Sequence, residues 1–135
     1  MALIQWSSGL EVGHSNIDTQ HKKLVDLVNT LNDAMTQGKA KDILGKLLDE
    51  LIAYTVSHFA MEEQLMQAHS YPDRANHLKQ HTDLKATVVK LQSEFAGGKT
   101  MITIEVMRFL KDWLSNHIQV TDKALGKYLA TKGVK

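Results

Sequence analysis

The spacing of apolar residues constrains this chain most. One proline and eight glycines in 135 residues leave long stretches without a breaker. Within them apolar residues return at alternating intervals of four and three, as on one face of an α-helix. Ile17, His21, Leu24, Val28, Leu31 and Met35 mark a first helix over about 16–37. Ser15 or Asn16 stands where a cap is needed, and Gly38 where the helix should end. Leu44, Leu47, Leu48, Leu51, Ile52, Thr55, His58, Phe59, Glu62, Leu65 and Met66 mark a second helix over about 41–69, which stops before Tyr71-Pro72. His77, His81, Leu84, Val88, Leu91 and Phe95 mark a third over about 73–96, closed by Gly97-Gly98. Met107, Leu110, Leu114 and His117 begin the stripe of a fourth, over about 103–130. Such helices with short connections predict an all-α fold, an up-down-up-down antiparallel four-helix bundle. Residues 1–14 read as an N-terminal arm, with Trp6 packed on the bundle.

Composition sets the outer limits. The length suits one domain spanning residues 1–135. A hydrophobic fraction of 43% is enough for a core. A formal charge of +1 gives no electrostatic footprint for nucleic acid. The absence of cysteine excludes disulfides, thiolate metal sites, iron–sulfur clusters and a cysteine nucleophile. The N-terminus lacks the basic and apolar regions of a secretory signal. No stretch approaches the ~18 apolar residues that mark a membrane span. The expectation is a cytoplasmic protein without membrane insertion. No unusually apolar outer face stands out, which favours a monomer.

Seven histidines are present, and five of them sit where the stripes should hold leucine or valine. They are His21 in the first helix, His58 in the second, His77 and His81 in the third, and His117 in the fourth. Glu62, four residues after His58, shares its face. Asp122 follows His117 by five. In an antiparallel bundle the start of the first helix, the end of the second, the start of the third and the second half of the fourth lie at one end. Five imidazoles and two carboxylates therefore converge on one layer. A single core histidine is most often an imidazole satisfied by a backbone carbonyl. Seven such groups in one apolar layer would carry heavy desolvation penalties unless cations held them. Of the remaining histidines, His14 in the arm reads as a surface or loop residue and His69 at the end of the second helix as exposed. Glu63 reads as a group behind the ligands or on the surface, and Met35, Met66 and Met107 as core.

Seven ligands exceed the four of a zinc site, and imidazoles do not suit calcium or magnesium. Two metals sharing bridging carboxylates fit. Two six-coordinate ions offer twelve positions. Five imidazoles, two bridging carboxylates and one oxide or hydroxide bridge fill all but one. Iron suits this donor set and binds O₂, although two zinc or two manganese ions satisfy the same ligand types.

Asp122 raises a geometric difficulty. Residues five apart on an α-helix point about 140° apart. Yet Ile118, Asp122, Leu125 and Leu129 form a second stripe, displaced by one residue from that of Leu110, Leu114 and His117. A one-residue displacement is what a π-bulge produces, so a loosened turn is expected between His117 and Asp122.

Several motifs resemble hemerythrins, in particular the single-domain bacteriohemerythrins. They are the Trp6 arm, Ile17-Asp18-Thr19-Gln20-His21, His58-Phe59-x-x-Glu62-Glu63-x-x-Met66, Tyr71-Pro72, His77-x-x-x-His81 and Trp113-Leu114-x-Asn116-His117-Ile118-x-x-x-Asp122. The resemblance covers almost the whole chain. It implies reversible O₂ binding at a non-haem di-iron centre. His77, His81 and His117 would hold one iron, which is full, and His21 and His58 the other, which keeps an open position. Glu62, Asp122 and an oxo or hydroxo group would bridge them. O₂ would bind end-on at the open iron as hydroperoxide. Phe59, Trp113, Leu114 and Ile118 resemble the family's pocket lining, and Leu84 stands where animal members carry an aromatic residue.

A carrier, store or delivery protein for O₂ is the leading reading, not an enzyme, with an O₂-consuming partner for delivery left unidentified. An oxygen-activating oxidase or peroxidase would use mostly carboxylates, with paired Glu-x-x-His motifs that are absent here. An O₂ or redox sensor acting through a partner is the other alternative; a fused output domain is not expected.

Overall fold

The computed structural model describes residues 3–98 and 101–134. After a short 3-10 turn (Ser8–Leu10) come three uninterrupted helices: α1 (Ser15–Thr36), α2 (Lys41–Ala68) and α3 (Arg74–Ala96). The fourth rod is composite. It consists of α4 (Ile104–Asn116), a π-helical turn (His117–Asp122) and α5 (Lys123–Thr131). The described residues contain no strand, and the four rods form the expected bundle. α1 packs against α2 and α4, and α2 against α3. The stripes supply the core, with Leu24, Leu31, Leu48, Met66, Met107, Leu125 and Leu129 almost wholly buried. Met35 is only partly buried.

The helix ends follow elementary capping chemistry, with two departures from expectation. α1 is capped by neither Ser15 nor Asn16. His14 takes that role, its Nδ1 accepting from the Ile17 amide at 3.3 Å. His14 thus lies in the loop before α1, but it is buried and not a surface group. At the other end Gly38 adopts φ +69°, and Lys39 N–H reaches the Ala34 carbonyl at 3.0 Å. This is a Schellman closure, in which glycine takes the left-handed position. α2 closes in the same way through Ser70 at φ +53°, with Tyr71 N–H donating to the Met66 carbonyl at 2.9 Å. His69 is the cap residue of that turn and is half-buried, not exposed. Its carbonyl accepts from the Tyr128 hydroxyl at 2.7 Å, which ties α5 to the α2–α3 connection.

The arm is more firmly held than Trp6 alone suggests. Trp6 packs half-buried on the core, and Ile4, Leu10 and Val12 are buried in it. Asn29 clasps Ile4, accepting from its amide at 2.9 Å and donating to its carbonyl at 2.8 Å. Asp18 accepts from the amide of Val12 at 2.7 Å. At Gly126 the arm touches the α5 backbone so closely that a Cβ would run into the Val12 carbonyl.

Candidate metal centre

The structure brings all seven stripe-borne groups together. His21 from α1, His58 and Glu62 from α2, His77 and His81 from α3, and His117 and Asp122 from the ends of the π-helical turn are all buried. The π turn is where the displaced stripe called for it. It advances each residue by less than the usual 100°, so His117 and Asp122 face the same interior. His117 Nε2 lies 3.0 Å from Asp122 Oδ1.

The two carboxylates divide the imidazoles between them. Glu62 turns Oε2 toward His21 at 3.3 Å and His58 at 3.1 Å. Its other oxygen, Oε1, faces His77 at 3.3 Å and His81 at 3.2 Å. Asp122 does the same, with Oδ2 2.8 Å from His21 Nε2 and Oδ1 2.9 Å from His77 Nε2. Two groups of donors result. Glu62, His77, His81, His117 and Asp122 form one; His21, His58, Glu62 and Asp122 form the other. Each carboxylate belongs to both.

Short as these contacts are, they leave the polar atoms unsatisfied. Both oxygens of Glu62 and of Asp122, both nitrogens of His21 and of His77, and Nε2 of His58 are buried without a hydrogen-bond partner. Buried polar groups are normally paired, and a cluster this dense is explained by a ligand that meets the lone pairs directly. The donor set of imidazole nitrogen and carboxylate oxygen suits transition-metal cations. Two such ions, one in each group, fit the residues present.

The electrostatics agree. Burial disfavours charge on His21 and His77, but the adjoining Asp122 and Glu62 outweigh it and raise both imidazoles to about 9. Burial likewise pushes Glu62 upward, and the four imidazoles around it reverse this, leaving it well below the usual carboxylate range. Asp122 is opposed by burial and by Glu62, yet His117 and His21 hold it low as well. The pocket thus keeps its carboxylates ionised and attracts positive charge.

Aromatic rings wall the layer. Phe59 stacks on His81 with centroids 3.7 Å apart, and Trp113 stacks on His117 at 4.4 Å. Beside them lies an apolar cavity of about 30 Å³. Phe59, Leu84, Trp113 and Leu114 line it together with Leu24 and Thr55. Ile118 is buried in the π turn and does not border it. The Thr55 hydroxyl is engaged, donating to the Leu51 carbonyl at 2.7 Å.

Three further side chains stand behind the histidines. Gln20 Oε1 lies 2.7 Å from His58 Nδ1, Gln80 Oε1 2.9 Å from His117 Nδ1, and Glu63 Oε2 3.1 Å from His81 Nδ1. Sequence reasoning placed Glu63 but missed both glutamines. The signal was there: each glutamine immediately precedes a stripe histidine, in Gln20-His21 and in Gln80-His81.

Comparison with known proteins agrees with this geometry. The family model described as the hemerythrin HHE cation binding domain matches residues 12–129. A bacteriohemerythrin from Methylococcus capsulatus is 41% identical, over 96% of this chain and 99% of that one. A myohemerythrin from Theromyzon tessulatum is 31% identical, over 87% of each chain. A crystal structure of wild-type hemerythrin is 38% identical and superposes with a TM-score of 0.90, over 95% of this chain and 98% of that one.

Proposed function

Because the chain belongs to the hemerythrin family, we propose that it binds O₂ reversibly at a pair of iron ions, as a carrier, store or delivery protein and not as an enzyme. One observation carries this reading: Glu62 and Asp122 each turn one oxygen to His21 and the other to His77. That is the disposition of two carboxylates that bridge a metal pair. His77, His81 and His117 would complete the position on one side, and His21 and His58 would serve the other. With an oxide or hydroxide bridge completing the pair, the His21 and His58 side would keep one coordination position open, at which O₂ would bind end-on and be released.

The chain's own residues supply selectivity and protection. The cavity lined by Phe59, Leu84, Trp113 and Leu114 admits only a very small apolar molecule. Its one hydroxyl, on Thr55, is already bonded to the backbone. No acid in that lining can deliver a proton, which supports slow autoxidation. Ile118 adds buried apolar surface within the π turn. The unequal donor groups support binding and release over oxygen activation, because His77, His81 and His117 together with the bridging groups would leave no open position on their side. Exposed apolar residues occur singly on α2, α3, α4, the π turn and, at Met101, the segment before α4, which supports a monomer.

The test is an iron count. Metal-free protein loaded anaerobically with ferrous iron should hold about two ions per chain, as a bridged pair requires. His117→Ala should lose iron while the helical signal is largely kept, since the bundle has an apolar core of its own. One ion in the wild-type chain, or none, overturns the reading.

A further inference from the structure

The five imidazoles are not braced alike. Two Gln-His pairs act across neighbouring helices. Gln20 of α1 reaches His58 of α2, and Gln80 of α3 reaches His117 beyond α4. Gln80 Oε1 is itself fixed, accepting from Thr121 Oγ at 2.8 Å. Each glutamine thus presents a neutral amide oxygen to the Nδ1–H of a histidine whose Nε2 faces the centre. His81 departs from this pattern. Its Nδ1 faces Glu63 Oε2 at 3.1 Å, a carboxylate sent across from α2 to α3. The Nδ1 atoms of His21 and His77 are buried without a partner.

These differences fall unevenly on the two donor groups. The His21 and His58 group has one neutral brace. The His77, His81 and His117 group has one neutral brace and one carboxylate. A carboxylate accepts a stronger hydrogen bond from the imidazole N–H than an amide does. It draws the proton at Nδ1 and makes Nε2 the better donor to a cation. It also adds a third negative charge near that group, beside Glu62 and Asp122.

We propose that Glu63 is a positioning residue that strengthens the His77, His81 and His117 group, so that this group takes its divalent metal first and the His21 and His58 group takes the second. The inference rests on the two-metal reading above.

Cobalt(II) titrated into the metal-free full-length chain at fixed pH, followed by visible absorption and calorimetry, tests it. The wild type should bind in two resolved steps, and His58→Ala should abolish the weaker one, which assigns the steps. Glu63→Gln keeps an oxygen of the same shape but removes the charge. It should weaken the tighter step about 10–100-fold, the usual effect of losing such a brace, and leave the weaker step within about threefold. Gln20→Glu should tighten the weaker step and spare the tighter. A tight step unchanged in Glu63→Gln, or both steps weakened equally, overturns the proposal. Should Glu63→Gln fail to fold, Gln20→Glu decides alone, and an unchanged weaker step overturns it. Absence of cobalt binding in the wild type overturns the two-metal reading itself; two steps indifferent to both variants overturn only this inference.

Discussion

His117 and Asp122 are five residues apart, yet Nε2 of one lies 3.0 Å from Oδ1 of the other. On a regular α-helix they would diverge by about 140°. The π-helical turn from His117 to Asp122 absorbs one additional residue and restores the common face. Downstream, Leu125 and Leu129 return to the core in the displaced register.

This relationship makes an unusual deletion testable. Val120 is exposed within the turn and contributes nothing to the core. Removing it would leave His117 and Asp122 four apart, about 40° from each other on an ordinary α-helix. The stripe through Leu110, Leu114, His117, Asp122, Leu125 and Leu129 would then run unbroken. The deletion variant should retain two metals per chain, and its thermal midpoint should stay within about 4 °C of wild type, the shift expected from roughly 1 kcal/mol in a domain of this size. Loss of metal with helicity intact would show that the widened turn itself is required.

The metal-free protein should respond to pH in a defined direction. His21 and His77 rise from an ordinary 6.5 to about 9 in the folded chain. A raised imidazole stabilises the fold fully below its unfolded value and loses that contribution as pH climbs through its folded value. Thermal midpoints of the metal-free chain should therefore fall between pH 6.5 and about 9. Glu62 and Asp122, held low, act in the opposite sense, and their contribution disappears as acid protonates them. Metal displaces the imidazole protons. Loading at pH 7 should thus release protons from His21 and His77, and affinity should rise toward pH 9. Flat midpoints across this interval, or loading without proton release in a pH-stat, would contradict the assignment.

Gly126 tests the seat of the arm. Its missing Cβ lets the Val12 backbone lie against α5. Gly126→Ala should destabilise the fold by about 1–3 kcal/mol through overpacking against rigid backbone. It should also expose residues 3–13 to limited proteolysis. Wild-type unfolding free energy together with an uncut arm would show that the contact relaxes without consequence.

Much of this architecture is legible in the sequence because a helix repeats every 3.6 residues. His21, His58, His77, His81 and His117 stand out since a polar group on an apolar stripe has nowhere else to go. The π turn is legible for a related reason, as a stripe cannot shift by one residue without one. Other features depend on neighbours that periodicity does not report. Gln20 and Gln80 lie off their stripes, and only the adjoining helix gives them His58 and His117. His14 caps α1 through an imidazole nitrogen, a role that capping preferences assign to serine or asparagine. Ile4, Leu10 and Val12 are buried in an irregular arm, broken by a 3-10 turn at Ser8–Leu10, with no period to betray them. The cavity is set by the fit of side chains from all four rods, so Ile118 can be buried near it without lining it.

The central claim is reversible oxygen binding, and one optical experiment addresses it most directly. Iron-loaded protein, reduced and held without oxygen, should be colourless. Admitting O₂ should colour it, and removing O₂ should return it to the colourless state through repeated cycles with about two irons retained per chain. Irreversible bleaching accompanied by product turnover, or no colour on exposure to O₂, would contradict it.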